Sequence, residues 1–148
     1  MRNDDSWQAA ATFLRLSTQL VDGIQDGLAR RGFEDVRPAH GFAFVRISAG
    51  DATTADLAGY LGVTKQAASQ LVDHLVRRGY VTRVPDPTDA RARILRLTDR
   101  GRACTDAAQE AAGETVEGWR RQLSPRDFAT LQSILSTIVV AGRIRPSW

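Results

Sequence analysis

The run Thr54-Ala55-Asp56-Leu57-Ala58-Gly59-Tyr60-Leu61-Gly62-Val63-Thr64-Lys65-Gln66-Ala67-Ala68-Ser69-Gln70-Leu71-Val72-Asp73-His74-Leu75 reads as two short helices meeting at a tight turn. Thr53 or Thr54 can cap the first, over residues 55–61. Helices that cross closely need a small residue at the contact, and Ala58 supplies one. Gly62, four residues on, allows the turn. Leu57, Leu61, Val63, Ala68 and Leu71 are the apolar residues that would lock the second helix against the first. Thr64 caps that second helix, which runs to about residue 78 and stops at Gly79. Its expected inward positions are Ala67, Ala68, Leu71, Val72, Leu75 and Val76. The outer side is left with Lys65, Gln66, Ser69, Gln70 and Asp73. From Thr64 through Gln70 these are hydrogen-bonding groups with no carboxylate, which suits base edges and phosphates.

Downstream the period changes. Tyr80-Val81-Thr82-Arg83-Val84 is short and β-branched, and Ala92-Arg93-Ile94-Leu95-Arg96-Leu97 is a second strand. Pro85-Asp86-Pro87-Thr88-Asp89 between them is turn chemistry. The two strands predict a hairpin whose tip carries Arg91 and Arg93 beside Asp86 and Asp89. An arginine on such a tip can enter a narrow minor groove. A helix-turn-helix followed by a basic hairpin is the layout of a winged helix. Asp-Pro turns also occur simply to shape loops, and the helices alone would fit an ordinary helical hairpin with a polar face.

Long helices flank this centre. Residues 6–31 carry two apolar stripes, Trp7, Ala11, Leu14, Val21 and Leu28 beside Phe13, Leu16, Leu20 and Ile24. One stripe covers a core, and two point to a helix held between its own chain and a second subunit. Ser6 would cap it and Gly32 would stop it. A second helix starts at Pro38, with Phe42, Val45, Ala39 and Ile47 as its apolar side. Thr98 caps a helix of residues 99–122, about 35 Å long, striped with Cys104, Ala108, Ala111, Thr115, Trp119 and Leu123. Ser124-Pro125-Arg126-Asp127 starts a last helix, to about residue 141, with Phe128, Leu131, Leu135, Ile138 and Val139 on one side. Trp119 and Trp148 are expected at a dimer contact. The fold class is therefore mainly α with a small β-hairpin wing. The expected organisation is a dimerisation helix at 1–34, a winged helix-turn-helix at 35–100 and C-terminal dimerisation helices at 101–148.

Charge agrees with this division. Residues 62–102 carry 9 basic and 4 acidic side chains, against 6 and 8 before them and 5 and 5 after. The whole net charge of +3 thus comes from an excess in the middle segment, which suggests a polyanionic partner. No apolar run is long enough to span a bilayer, and the N-terminus lacks the apolar stretch of a secretory signal. A cytoplasmic location is expected. One cysteine and two histidines argue against a disulfide or a zinc site, and no cofactor or metal is expected.

The segments Leu61-Gly62-Val63-Thr64-Lys65-Gln66, Leu71-Val72-Asp73, Arg78-Gly79-Tyr80-Val81, Asp86-Pro87-Thr88-Asp89-Ala90-Arg91 and Leu97-Thr98-Asp99-Arg100-Gly101-Arg102 together resemble the multiple-antibiotic-resistance regulator (MarR) family. The resemblance implies a homodimer joined through its terminal helices. It implies recognition helices in successive major grooves of a pseudo-palindromic operator, with wings in the flanking minor grooves. By position, Thr64, Lys65, Gln66, Ser69 and Gln70 would read or hold double-stranded DNA. Arg91 would be the wing arginine, with Arg93 beside it and Asp89 orienting it. Many members release DNA on binding a small phenolic or aromatic acid. Oxidation-sensing members carry their cysteine in the first helix, where this chain has none.

Phe13, Arg15, His40, Phe42 and Phe44, from the first two helices, are the residues that could line an effector pocket, an arginine near aromatic rings being suited to a carboxylate. An ordinary core with a surface arginine uses the same residues. Cys104 lies on an apolar stripe, where packing is its simplest role. No phosphate loop or nucleophile elbow is present, and Ser69, Asp73 and His74 do not converge, so catalysis is not expected. The functional reading is a DNA-binding transcriptional regulator, a repressor released by an aromatic effector. The alternatives are a winged helix used only for protein assembly, which needs neither polar face nor arginine tip, and a cysteine-based redox regulator.

Overall fold

The computed structural model describes residues 2–142. The elements are α1 (Arg2–Arg30), α2 (Pro38–Ser48), α3 (Thr54–Leu61), α4 (Lys65–Arg77), β1 (Val81–Pro85), β2 (Arg93–Leu97), α5 (Asp99–Arg120) and α6 (Pro125–Ile138). They fall into two compact units, Asp35–Ala107 and, separately, the chain up to Glu34 with Ala108–Ala141. Among the described residues no helix is long and apolar enough to cross a membrane.

The Asp35–Ala107 unit is built on local capping. Thr53 accepts the Asp56 N–H at 3.2 Å, and the Asp56 carboxylate accepts the Thr53 N–H at 2.9 Å, so both ends of the box close at the start of α3. Gly62 ends α3 in the left-handed region at φ 69°, where a side chain would be strained, and Val63 N–H returns to Ala58 O at 3.1 Å. Thr64 then opens α4, its hydroxyl accepting the Ala67 N–H at 3.1 Å. Leu57, Ala58 and Leu61 from α3 pack with Ala68, Val72 and Leu75 from α4, all buried. Ala67, expected inward, is exposed, because it lies off the Ala68-Val72-Leu75 stripe that α3 covers.

The wing strands pair antiparallel from Val81↔Leu97 to Pro85↔Arg93. Leu95 N–H also donates to Ala52 O at 2.8 Å, which ties the hairpin to the start of the helix-turn-helix. At its base Thr98 Oγ1 accepts the Gly101 N–H at 3.1 Å. A Cβ at Gly101 would lie 2.2 Å from the Tyr80 carbonyl oxygen, so the first turn of α5 reaches this backbone only because residue 101 has no side chain. The face of α2 differs from expectation. Ala43, Phe44, Ile47 and His40 are buried, whereas Val45 is 40% exposed. Burial follows the position of the neighbouring elements rather than the hydrophobicity of each residue.

The other unit holds α1, the second half of α5 and α6. Leu28 and Ala111 are buried. Arg31 pairs with Glu110 at 3.3 Å and Glu114 at 2.5 Å. Helix α1 begins before Ser6, which lies inside it and not at its cap. Asp4 and Asp5 occupy the first turn and favour helix there through the dipole. Helix α1 does stop where Gly32 predicts, with Phe33 N–H on Leu28 O at 2.9 Å. Helix α6 is capped by Ser124, whose oxygen accepts the Asp127 N–H at 3.1 Å. None of its residues is buried. The side expected to pack leaves Phe128 and Leu135 half-covered and Leu131, Ile138 and Val139 exposed. Trp148 lies outside the described residues.

Candidate nucleic-acid interface

The exposed face of α4 comes directly from its geometry. Each residue turns the helix by about 100°, so Lys65 and Ser69 form one row and Gln66 and Gln70 the next. All four are exposed, and so is the capping Thr64. Those four helix residues sit in the first two turns, at the end where the backbone N–H groups point outward. The helix is strongly two-sided, with Ala68, Val72 and Leu75 fully covered on its other side.

The wing tip is shaped by its own acids. Asp86 accepts the N–H and the hydroxyl of Thr88, both at 2.8 Å, and these bonds lower its carboxyl below the ordinary range. Asp89 accepts the backbone N–H of Arg91 at 2.9 Å, and its carbonyl accepts Ala92 N–H at 3.1 Å. Asp89 therefore fixes the main chain at Arg91 rather than gripping the guanidinium. Arg91 is exposed, and among the described residues its side chain makes no ion pair. Arg93, also exposed, turns one guanidinium nitrogen to Ala92 O at 3.3 Å.

A polar cluster beneath the wing has no counterpart in the sequence reading. Tyr80 Oη donates to Asp35 at 2.6 Å. Arg100 donates to Tyr80 Oη at 3.0 Å and lies over its ring at 4.6 Å. Arg100 and Arg78 stand 3.8 and 3.9 Å from Asp35. The Tyr80 hydrogen bond, helped by these arginines, holds the Asp35 carboxyl below its usual range, and burial with the Asp35 contact pushes Tyr80 up to about 12. The partners are 45 and 20 residues apart in the chain, so no local pattern announces them.

The residues expected around an effector are divided between the two units. Phe13 and Arg15 are exposed on α1, and two residues apart on a helix they point about 160° apart. His40, Phe42 and Phe44 belong to the other unit. Phe44 is buried against Tyr80, ring centroids 5.6 Å apart. His40 Nδ1 accepts the Arg37 N–H at 2.9 Å, and its ring stacks on His74 at 5.1 Å. Burial, with His74 and Arg37 adding to it, pushes His40 down to about 4. His40 and Phe44 thus serve the core of their unit. Cys104 is buried, and burial pushes its thiol up to about 11, which leaves little thiolate for oxidation chemistry. Among the described residues no group of three or more His, Cys, Asp or Glu side chains is placed to hold a metal ion.

Comparison with known proteins finds a likeness centred on the same segment. The MarR family model matches residues 37–92, the helix-turn-helix and most of the wing. The multiple antibiotic resistance protein MarR of Escherichia coli is 28% identical over 88 residues, 59% of this chain and 61% of its own length. Over this segment the chain is similar to the MarR family. Its matches to the curated MarR proteins span about three-fifths of their length. Among solved structures, RV1404 from Mycobacterium tuberculosis is 27% identical with a TM-score of 0.78, over 93% of this chain and 92% of that one. A variant of E. coli MarR complexed with operator DNA has a TM-score of 0.68 at 22% identity, over 93% and 97%. Both share the fold of this chain. The matched region contains every recognition-helix residue singled out above, along with Asp89 and Arg91, but stops one residue short of Arg93.

Proposed function

We propose that this chain is a sequence-specific double-stranded DNA-binding regulator of transcription that acts as a homodimer. The observation that carries the reading is one compact unit presenting both a carboxylate-free polar face on the first two turns of α4 and an exposed Arg91 on a shaped wing tip. Members of the MarR family are regulators of transcription rather than enzymes, and a relative of the same fold is solved on operator DNA. In this reading Thr64, Lys65, Gln66, Ser69 and Gln70 face the major groove. Arg91 enters the minor groove, where negative potential is concentrated, with Arg93 behind it and Asp89 holding the loop. An assembly-only winged helix would have no use for this arginine.

The homodimer is supported by the unit containing α1 and α6. There Trp7, Phe13, Leu14, Ile134, Ile138 and Val140 are all more than half exposed. That much apolar surface on one unit marks an interaction face, and the two terminal segments, 1–34 and 101–148, are its proposed source. Repression relieved by a small aromatic acid follows from the family likeness. Arg15 is an exposed cation on α1 suited to meet a carboxylate. A thermal-shift screen of aromatic acids tests it, since a ligand of the native state raises its melting point.

Arg91→Ala tests the DNA reading. Loss of one minor-groove arginine should weaken binding to a labelled duplex by about 1–3 kcal/mol at fixed salt. An unchanged titration would remove the wing tip from the interface.

A further inference from the structure

Asp73 is the only acidic residue on α4. By the helix turn it falls between the Lys65–Ser69 row and the Gln66–Gln70 row, about 12 Å along the axis from Lys65. It is exposed. A bare carboxylate there would repel the polyanion that the rest of the face is suited to meet. It is not bare. Arg83, the third residue of β1, reaches across and pairs its guanidinium with the Asp73 carboxylate. Arg83 lies opposite Leu95 in the hairpin, and its side chain is only 34% exposed. The ion pair thus links the hairpin to α4 through the charged end of this side chain. Both residues belong to the same compact unit.

We infer that Arg83 is a charge mask for the recognition helix: its ion pair cancels the Asp73 carboxylate on the face of α4 turned toward DNA, and it makes no phosphate contact of its own. The inference rests on the DNA-binding reading above. It assigns Arg83 a part distinct from that of Arg91, which acts by touching DNA directly. It also explains how a helix with an acid in the middle of its outer face can still serve a polyanion.

The test is a four-protein set in the full-length chain: parent, Arg83→Ala, Asp73→Asn and the double variant. The probe is a fluorescein-labelled mixed-sequence duplex of about 30 bp, titrated at about 50 mM salt, where surface charge is weakly screened. Arg83→Ala should weaken binding roughly fivefold, the scale of one partly exposed charge pair. Asp73→Asn alone should stay within about twofold of the parent, and the double variant should return to within about twofold of Asp73→Asn. Arg83→Gln, which keeps much of the stem, should behave as Arg83→Ala and guards against a folding defect. Three results overturn the mask. If the double variant stays as weak as Arg83→Ala while Asp73→Asn binds normally, Arg83 is a phosphate ligand. If all three variants are weak, the pair is structural. If Arg83→Ala binds as the parent does, Asp73 needs no mask. A parent that does not bind the duplex refutes instead the DNA-binding reading.

Discussion

Arg91 and Gln66 belong to one unit but ask different things of DNA. In the proposed reading Arg91 is a charge offered to a groove, and its loss should weaken binding to many sequences. Gln66 carries no charge and can distinguish bases only by donating and accepting at their edges. Gln66→Ala should therefore change the consensus recovered from a random-duplex selection while leaving the salt dependence of binding intact, because amides release no counterions. The same consensus from both proteins would place Gln66 outside the readout. His40 illustrates a different residue-scale effect. Its folded value of about 4 lies below the ordinary histidine value of 6.5, so the unfolded chain binds the extra proton between those values. Stability should be full above about pH 6.5 and fall as the pH drops toward 4, by up to about 3 kcal/mol. Urea unfolding at pH 7 and 4.5 measures this. His40→Gln should flatten the loss, and an undiminished loss would assign it to other groups.

At the scale of elements, hydrogen bonds close in sequence were readable and contacts between distant segments were not. Thr53, Thr64 and Ser124 were legible as caps because each accepts an N–H three residues on. Gly62 was legible as a turn because positive φ favours glycine. On α2 the expected Ile47 is buried, but the rest of the buried face is set by packing. Val45 looks apolar in the sequence but faces outward, while Ala43 and Phe44 meet the core. Ser6 resembles a cap in the sequence but lies inside α1, and a cap-like residue inside a long helix carries no local mark. The Asp35–Tyr80–Arg100 cluster and the Arg83–Asp73 pair exist only once α4 and the hairpin are packed. Gly101 is a contact of the same kind, invisible until α5 lies against the Tyr80 carbonyl. Gly101→Ala should cost about 1–3 kcal/mol, as overpacking does, read as a lower denaturation midpoint at unchanged slope. A midpoint equal to the parent's would mean that the start of α5 can shift without penalty.

For the whole molecule, the proposal joins two properties held by separate units. One presents the polar helix face and the arginine tip. The other leaves apolar side chains of α1 and α6 in water unless a second copy covers them. A single recognition helix touches few base pairs, and pairing two copies doubles the site and sets its symmetry. DNA repeats its groove every helical turn, so the half-sites should lie about 10 bp apart or a multiple of that. The most direct measurement is the stoichiometry, by native mass spectrometry, of the complex with a duplex selected from a random pool by the parent protein, followed by footprinting of that duplex. The account predicts two chains per duplex, protecting two inverted half-sites one turn apart. A lone chain on a single half-site, or a protein that retains no duplex even at low ionic strength, would contradict it.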